Sequence, residues 1–232
     1  MINPEKEPQF LKSEEIPEKQ GEMEGSPEKR EISEKDERML SILDNLHSSF
    51  ADQKIENYVV GSWAIDGHKG KAEESHHDID YLTWEEDSEK LRKVLQKENF
   101  KIIEGEYNKK GELHKFTFKI MARKENIDLD FGFIKLDGKT KEVFSPTYPK
   151  FRFPLSFLDG GETTLRSGPD QISKFNVASK ELLLAMKINS KRKSDQKDVE
   201  FLKKEIGDEE KIQEIKDKYS LDYKQFKKEV WI

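Results

Sequence analysis

Apolar residues recur along the chain with two different periods, and the change of period divides it into elements. Met39, Leu40, Ile42, Leu43, Leu46 and Phe50 fall three and four apart, the spacing of a helix with one buried face. Ser33-Glu34-Lys35-Asp36 precedes them as a capping box, so a first helix is expected over 34–50. Glu56 to Val60 and Ile79 to Trp84 have the short apolar character of strands. Asp87-Ser88 is expected to cap a helix carrying Leu91, Val94 and Leu95. Phe100 to Tyr107, Leu113 to Met121 and Ile127 to Ile134 follow as strand-like runs, with Lys109-Lys110-Gly111 as a hairpin turn. Short strands around Gly160-Gly161 are expected over 142–166, broken by Pro146, Pro149 and Pro154. After Pro169 the pattern predicts helices. Lys180 to Ile188 contains the apolar run LLLAM, Ser194 is expected to cap the next helix, and Gly207 to stop it. Two short charged helices finish the chain. The order predicts an α/β (α+β) architecture with a mixed β-sheet flanked by helices and a C-terminal helical part.

Composition sharpens the boundaries. Only 33% of the 232 residues are apolar and 39% are charged. Residues 1–38 carry a net charge of −5, leaving −1 for the rest. Residues 1–32, rich in Glu, Lys and Pro, cannot bury enough apolar surface to offset their ordering entropy and are expected to be a disordered acidic tail. The remainder divides into an α/β domain, 33–168, and a helical region, 169–232. The near-neutral body lacks the basic excess of a protein that tracks a nucleic-acid backbone. With no cysteine, disulfides, thiolate metal sites and cysteine nucleophiles are excluded. No apolar run approaches the ~20 residues of a membrane helix, and a cytoplasmic protein is expected.

The candidate chemistry lies in carboxylates. Side chains two apart on a strand share a face, with Cα atoms about 6.5 to 7 Å apart. Asp78 and Asp80 therefore project together at the start of the second strand. Two carboxylates so arranged can hold one or two Mg²⁺ ions, and two-metal phosphoryl transfer uses ions about 3.5 to 4 Å apart. Asp128 and Asp130 repeat the pattern on a later strand, with Leu129, Phe131 and Phe133 facing away. Either pair alone is also the ordinary pattern of a solvated strand face. Gly61-Ser62 ends the first strand; a glycine admits a phosphate close to the backbone, and a helix starting there would add free N–H groups. Neither a Walker loop nor a G-x-G-x-x-G run is present.

Gly61, Ser62, Trp63, Ala64, Asp66, Gly70, Lys71, His76, Asp78, Ile79 and Asp80 together resemble a signature of the nucleotidyltransferase superfamily that shares its fold with DNA polymerase β. The stretch looks most like the minor nucleotidyltransferases that include aminoglycoside and lincosamide adenylyltransferases. The resemblance implies that Asp78 and Asp80 bind Mg²⁺ carrying a nucleoside triphosphate and that Gly61 and Ser62 hold its phosphates. It implies a third acidic residue on a later strand, best matched by Asp128, with Asp130 as the alternative. Lys187, Arg192 and Lys71 are its further candidates for phosphate contacts. Glu74 stands where several relatives carry arginine. His76 is open between orienting a neighbour and a structural role, and Trp63 is expected in the core. Phe131, Phe133 or the 145–160 segment would line the acceptor cleft. The implied activity is transfer of a nucleoside monophosphate, AMP from ATP by preference, to a hydroxyl of a small acceptor. Two alternatives stand beside it: transfer to a protein or RNA, and a nucleotide-binding module without catalysis.

Overall fold

The computed structural model describes residues 33–73, 75–107, 113–115, 118–166 and 172–222. The expectations for residues 1–32, Glu74, the Lys109–Gly111 turn and the last ten residues fall outside these. Helix α1 runs over Glu34–Asp52. Ser33 caps it, its Oγ accepting from the Asp36 N–H at 3.1 Å, and Glu34, Asp36 and Glu37 lie favourably in the first turn of the helix dipole. Its buried face is Met39, Leu40, Leu43, Leu46 and Phe50. Strand β1 (Asn57–Val60) passes directly into helix α2 (Gly61–Lys69), and β2 (Asp78–Trp84) returns antiparallel to β1. Helix α3 (Ser88–Lys97) buries Leu91, Val94 and Leu95. Asp87 stands at its cap position but makes no side-chain cap bond: a 3₁₀ turn over Glu85–Asp87 leads in, and the Asp87 carboxylate binds Lys90 Nζ instead.

Strands β3 (Lys101–Ile103), β4 (Gly105–Tyr107), β5 (Leu113–Lys115), β6 (Lys119–Lys124) and β7 (Ile127–Leu136) follow. β4 and β5 form their own antiparallel pair. The main sheet has the order β1-β2-β7-β6-β3, and β8 (Glu142–Ser145) and β9 (Tyr148–Pro154) extend it from the end of β7. Only the β2–β7 pairing of this sheet is parallel; the chain must cross over between them, and α3 and the β3–β6 strands supply the crossover.

The expected change to helices near residue 170 comes later. Strand β10 (Glu162–Arg166) pairs antiparallel with β11 (Ile172–Asn176), and Val177 then bridges to Val59 of β1. Helix α4 (Lys180–Lys187) starts at Ser179, whose Oγ accepts from the Leu182 N–H. Helix α5 (Lys193–Ile206) has Arg192, not Ser194, at its cap position, and Ser194 lies inside the first turn. Gly207, at φ 66°, ends it, and α6 (Glu209–Glu214) continues into a π turn over Ile215–Tyr219.

One apolar core runs through these elements. Under the β2–β7 pair, Tyr81 stacks on Phe131 at 4.6 Å, and Phe50 of α1 meets both rings edge-on at 6.0 Å. Such aromatic contacts add about 0.5–1.5 kcal/mol each beyond area burial. They fix the two strands whose other face carries the aspartates.

Candidate active site

Strand alternation and register build a patch of carboxylates. Ile79, Tyr81, Leu129 and Phe131 point into the core, so Asp78, Asp80, Asp128 and Asp130 share the opposite face. Parallel pairing sets Asp78 beside Asp128 and Asp80 beside Asp130. The four differ in their partners. Arg123, directly across from Asp128 on β6, grips it with both Nε and Nη2, the latter at 2.9 Å from Oδ2. Lys119 Nζ donates to Asp130 Oδ2 at 3.0 Å. Asp80 is the most enclosed. Burial, then the charges of Asp78 and Asp130, push its carboxyl up to about 7, while Lys187 and Lys119 pull the other way.

The start of α2 lies against this patch. Val60 pairs with Asp80, so the helix begins beside it. Gly61 has φ 70°, and a Cβ there would stand 2.8 Å from Asp80 Oδ2. Both the backbone conformation and the close approach require glycine. No side chain caps α2, so its first N–H groups are available to an anion, as its sequence position suggests. Ser62, the second helical residue, is exposed. Its Oγ lies 2.9 Å from His76 Nδ1, and His76 Nε2 lies 2.9 Å from Asp66 Oδ2. Trp63 is buried and stacks on the His76 ring at 3.8 Å.

The other expected phosphate contacts are tied to carboxylates. Lys71 is exposed and pairs with Glu73 at 2.8 Å. Lys187 is buried between Asp195 and Asp198, at 2.7 and 2.8 Å. Burial works against its charge, but these two carboxylates hold its pKa above the ordinary lysine value. It is the cation of the helical part whose charge reaches Asp80. Arg192 is exposed and binds Asp195 through Nε at 2.6 Å. Phe131 and Phe133 do not line a cleft: both are buried in the core on the far face of β7. Lys119, Arg123 and Asp66 are site neighbours that sequence reasoning missed. Asp66 was visible in the signature but carried no role there, and the two cations depend on the β6–β7 register.

Strand carboxylates and an uncapped helix start together form the candidate site. The model of the aminoglycoside-2''-adenylyltransferase family matches residues 39–167, more than half of the chain. The chain belongs to that family and is a nucleotidyltransferase of the adenylyltransferase type. Among solved structures, the lincosamide antibiotic adenylyltransferase LnuA, with lincomycin bound, is 23% identical at TM-score 0.50, covering 75% of this chain and 98% of that one. The antibiotic-resistance factor ANT(2'')-Ia, in solution, is 12% identical at TM-score 0.54, with 78% and 90% covered. Its crystal structure with adenylyl-2''-tobramycin gives 12% identity and TM-score 0.53, with 77% and 94% covered. These likenesses establish the fold. No curated protein matches the sequence significantly. No helix among the described residues is long and apolar enough to cross a membrane.

Proposed function

We propose that the protein transfers AMP from ATP to a hydroxyl of a small acceptor, of the aminoglycoside or lincosamide kind, and releases pyrophosphate. The observation that carries this reading is the Asp78–Asp80–Asp130 patch against the uncapped start of α2. The donor set fits Mg²⁺. Among the described residues no three or more His, Cys, Asp or Glu side chains form a ready-made metal cage. Mg²⁺ characteristically uses one or two carboxylates and completes its shell with water and substrate phosphates. Asp80, raised by burial and then by two neighbouring carboxylates, is the environment a divalent cation relieves. Asp78 and Asp80 would hold it, with Asp130 beside them, and it would supply charge stabilisation for the transferring phosphoryl group.

Gly61 and the backbone N–H groups that follow bind the phosphates, with Ser62 adding a hydroxyl. Lys187, braced by Asp195 and Asp198, offsets triphosphate charge. Asp130 takes the proton of the acceptor hydroxyl as its oxygen attacks the α-phosphorus. Asp130 is preferred over Asp128 because Arg123 engages both oxygens of Asp128. Lys71 and Arg192 are outer contacts of the triphosphate. The acceptor lies between the sheet face and the C-terminal helices. Turnover of Asp130→Asn and Asp128→Asn tests the choice. Loss of a general base costs about 10²–10⁴-fold, expected for Asp130→Asn alone. The opposite ranking would return the role to Asp128.

A further inference from the structure

The face of the sheet that carries the aspartates continues beyond them. Register aligns Tyr58, Leu82, Gly132 and Lys119 across four strands, one row past Val60, Asp80, Asp130 and Met121. All four residues of the outer row are partly exposed. Gly132 follows Asp130 by two residues on β7, so the two share a face with Cα atoms about 6.5 to 7 Å apart. A glycine inside a strand weakens it, because it loses more backbone freedom on folding and packs no side chain. The fold does not call for one here. Gly132 is not among the glycines with positive φ. A Cβ there would stand 3.4 Å from Leu82 Cδ2 and 3.7 Å from the Tyr81 carbonyl oxygen, ordinary contact distances. Gly67 and Gly160 differ: a Cβ would come within 2.8 Å of Thr163 and 2.5 Å of the Ala178 carbonyl oxygen. Lys119, opposite Gly132 on β6, extends to Asp130 and stays more than 4 Å from the position of that Cβ. What the glycine leaves is a bare stretch of strand beside the carboxylate assigned the acceptor's proton. Close approach of a ligand is one use of such a gap.

We propose that Gly132 is a specificity-determining residue for the acceptor: its missing side chain lets the C–H face of a saturated ring lie on β7, with a hydroxyl of that ring turned to Asp130. The proposal deepens the acceptor reading above and rests on it. The neighbours select the chemistry. Leu82 and Tyr58 offer apolar surface on one side, which suits the carbon face of a sugar or cyclitol ring. An ammonium group pressed there would lose hydration, and Lys119 on the other side would repel it. Amino substituents of the acceptor therefore belong on the ring edge that faces away from the strand.

Gly132→Ala and Gly132→Val place one and three carbons in the gap. Acceptor kcat/KM is measured by pyrophosphate release for each member of a panel of aminoglycosides and lincosamides that includes tobramycin and lincomycin. Calorimetry gives Mg²⁺–ATP affinity, and thermal unfolding gives stability. One methylene more or less in a pocket is worth about 10–200-fold, so Gly132→Ala should lose about tenfold in acceptor kcat/KM and Gly132→Val about a hundredfold. ATP affinity should stay within about twofold in both, and Gly132→Ala should unfold no earlier than wild type. Leu82→Ala/Gly132→Ala, compared with Leu82→Ala, removes the side chain that the new methyl would touch. The tenfold loss should persist there, because the clash is with the acceptor. A loss that disappears in the Leu82→Ala background would overturn the proposal, since the glycine would then serve Leu82. So would an equal loss of ATP affinity, or less than about a threefold change in kcat/KM for Gly132→Ala. Should Gly132→Val fail to fold, Gly132→Ala decides. Wild-type protein that modifies no member of the panel would overturn the acceptor reading and the role of Gly132 together, a result seen before any variant is made.

Discussion

Replacing Asp80 with asparagine should stabilise the metal-free protein while abolishing transfer. The Asp80 carboxyl is raised from 3.8 to about 7 by burial and by Asp78 and Asp130. The folded state therefore holds a proton that the unfolded chain releases near pH 4. Stability associated with that proton is complete below pH 4 and is lost as pH rises toward 7. A shift of about three units corresponds to about 4 kcal/mol at full effect, and partial solvent access brings the expected value nearer about 2–3 kcal/mol. An asparagine side chain has the same shape and no charge, so the Asp80→Asn variant escapes this loss. Denaturant unfolding of both proteins in EDTA from pH 4 to pH 8.5 measures the difference, in which the other titrating groups cancel. The curves should meet near pH 4 and diverge to a plateau above pH 7, the variant more stable. At a midpoint shift of about 2–4 °C per kcal/mol, thermal unfolding at pH 8 should differ by about 5–10 °C. Parallel curves, or a variant less stable at pH 8, would refute the reasoning that burial and like charges strain the Asp80 carboxylate.

Gly61→Ala should lose nearly all transfer, because the methyl would sit 2.8 Å from Asp80 Oδ2 on backbone at φ 70°; near-normal turnover would contradict the close approach. Lys187→Met should cost about 3 kcal/mol in denaturant unfolding, since it removes the buried cation between Asp195 and Asp198 and leaves Asp195 with Ser190 and the exposed Arg192; a cost below about 1 kcal/mol would show that Lys187 contributes little. The Tyr81 hydroxyl is buried without a hydrogen-bond partner among the described residues. Tyr81→Phe should therefore be neutral or up to about 1–2 kcal/mol stabilising by equilibrium unfolding, and a clear loss would reveal a partner.

The sequence carried the parts of the site that depend on local spacing. Aspartates two apart on strands and a glycine ending β1 are legible because strand period and backbone freedom are local properties. So was the cap at Ser33, where side chain and helix start lie within one turn. What depends on register was not legible. Arg123 opposes Asp128 and Lys119 reaches Asp130 only because β6 pairs with β7 at one particular offset, and a shift of one residue would turn both cations to the other face. That pairing gives the two candidate third carboxylates different partners, Arg123 for Asp128 and Lys119 for Asp130. The placement of Phe131 and Phe133 in a cleft failed by the same alternation that put the aspartates on the opposite face. Ser194 failed as a cap because α5 begins two residues earlier, after Arg192. The buried partner of His76 was quoted within the signature, but a spacing of ten residues across a loop gives no contact by itself.

The most direct test of the account is acceptor-dependent pyrophosphate release. Wild-type protein and Asp80→Asn are incubated with Mg²⁺, each of the four labelled nucleoside triphosphates, and pooled aminoglycosides and lincosamides. The account predicts pyrophosphate and a labelled small molecule from ATP with the wild-type chain, and neither with Asp80→Asn. Label appearing on protein or RNA instead, or equal release by Asp80→Asn, would contradict it.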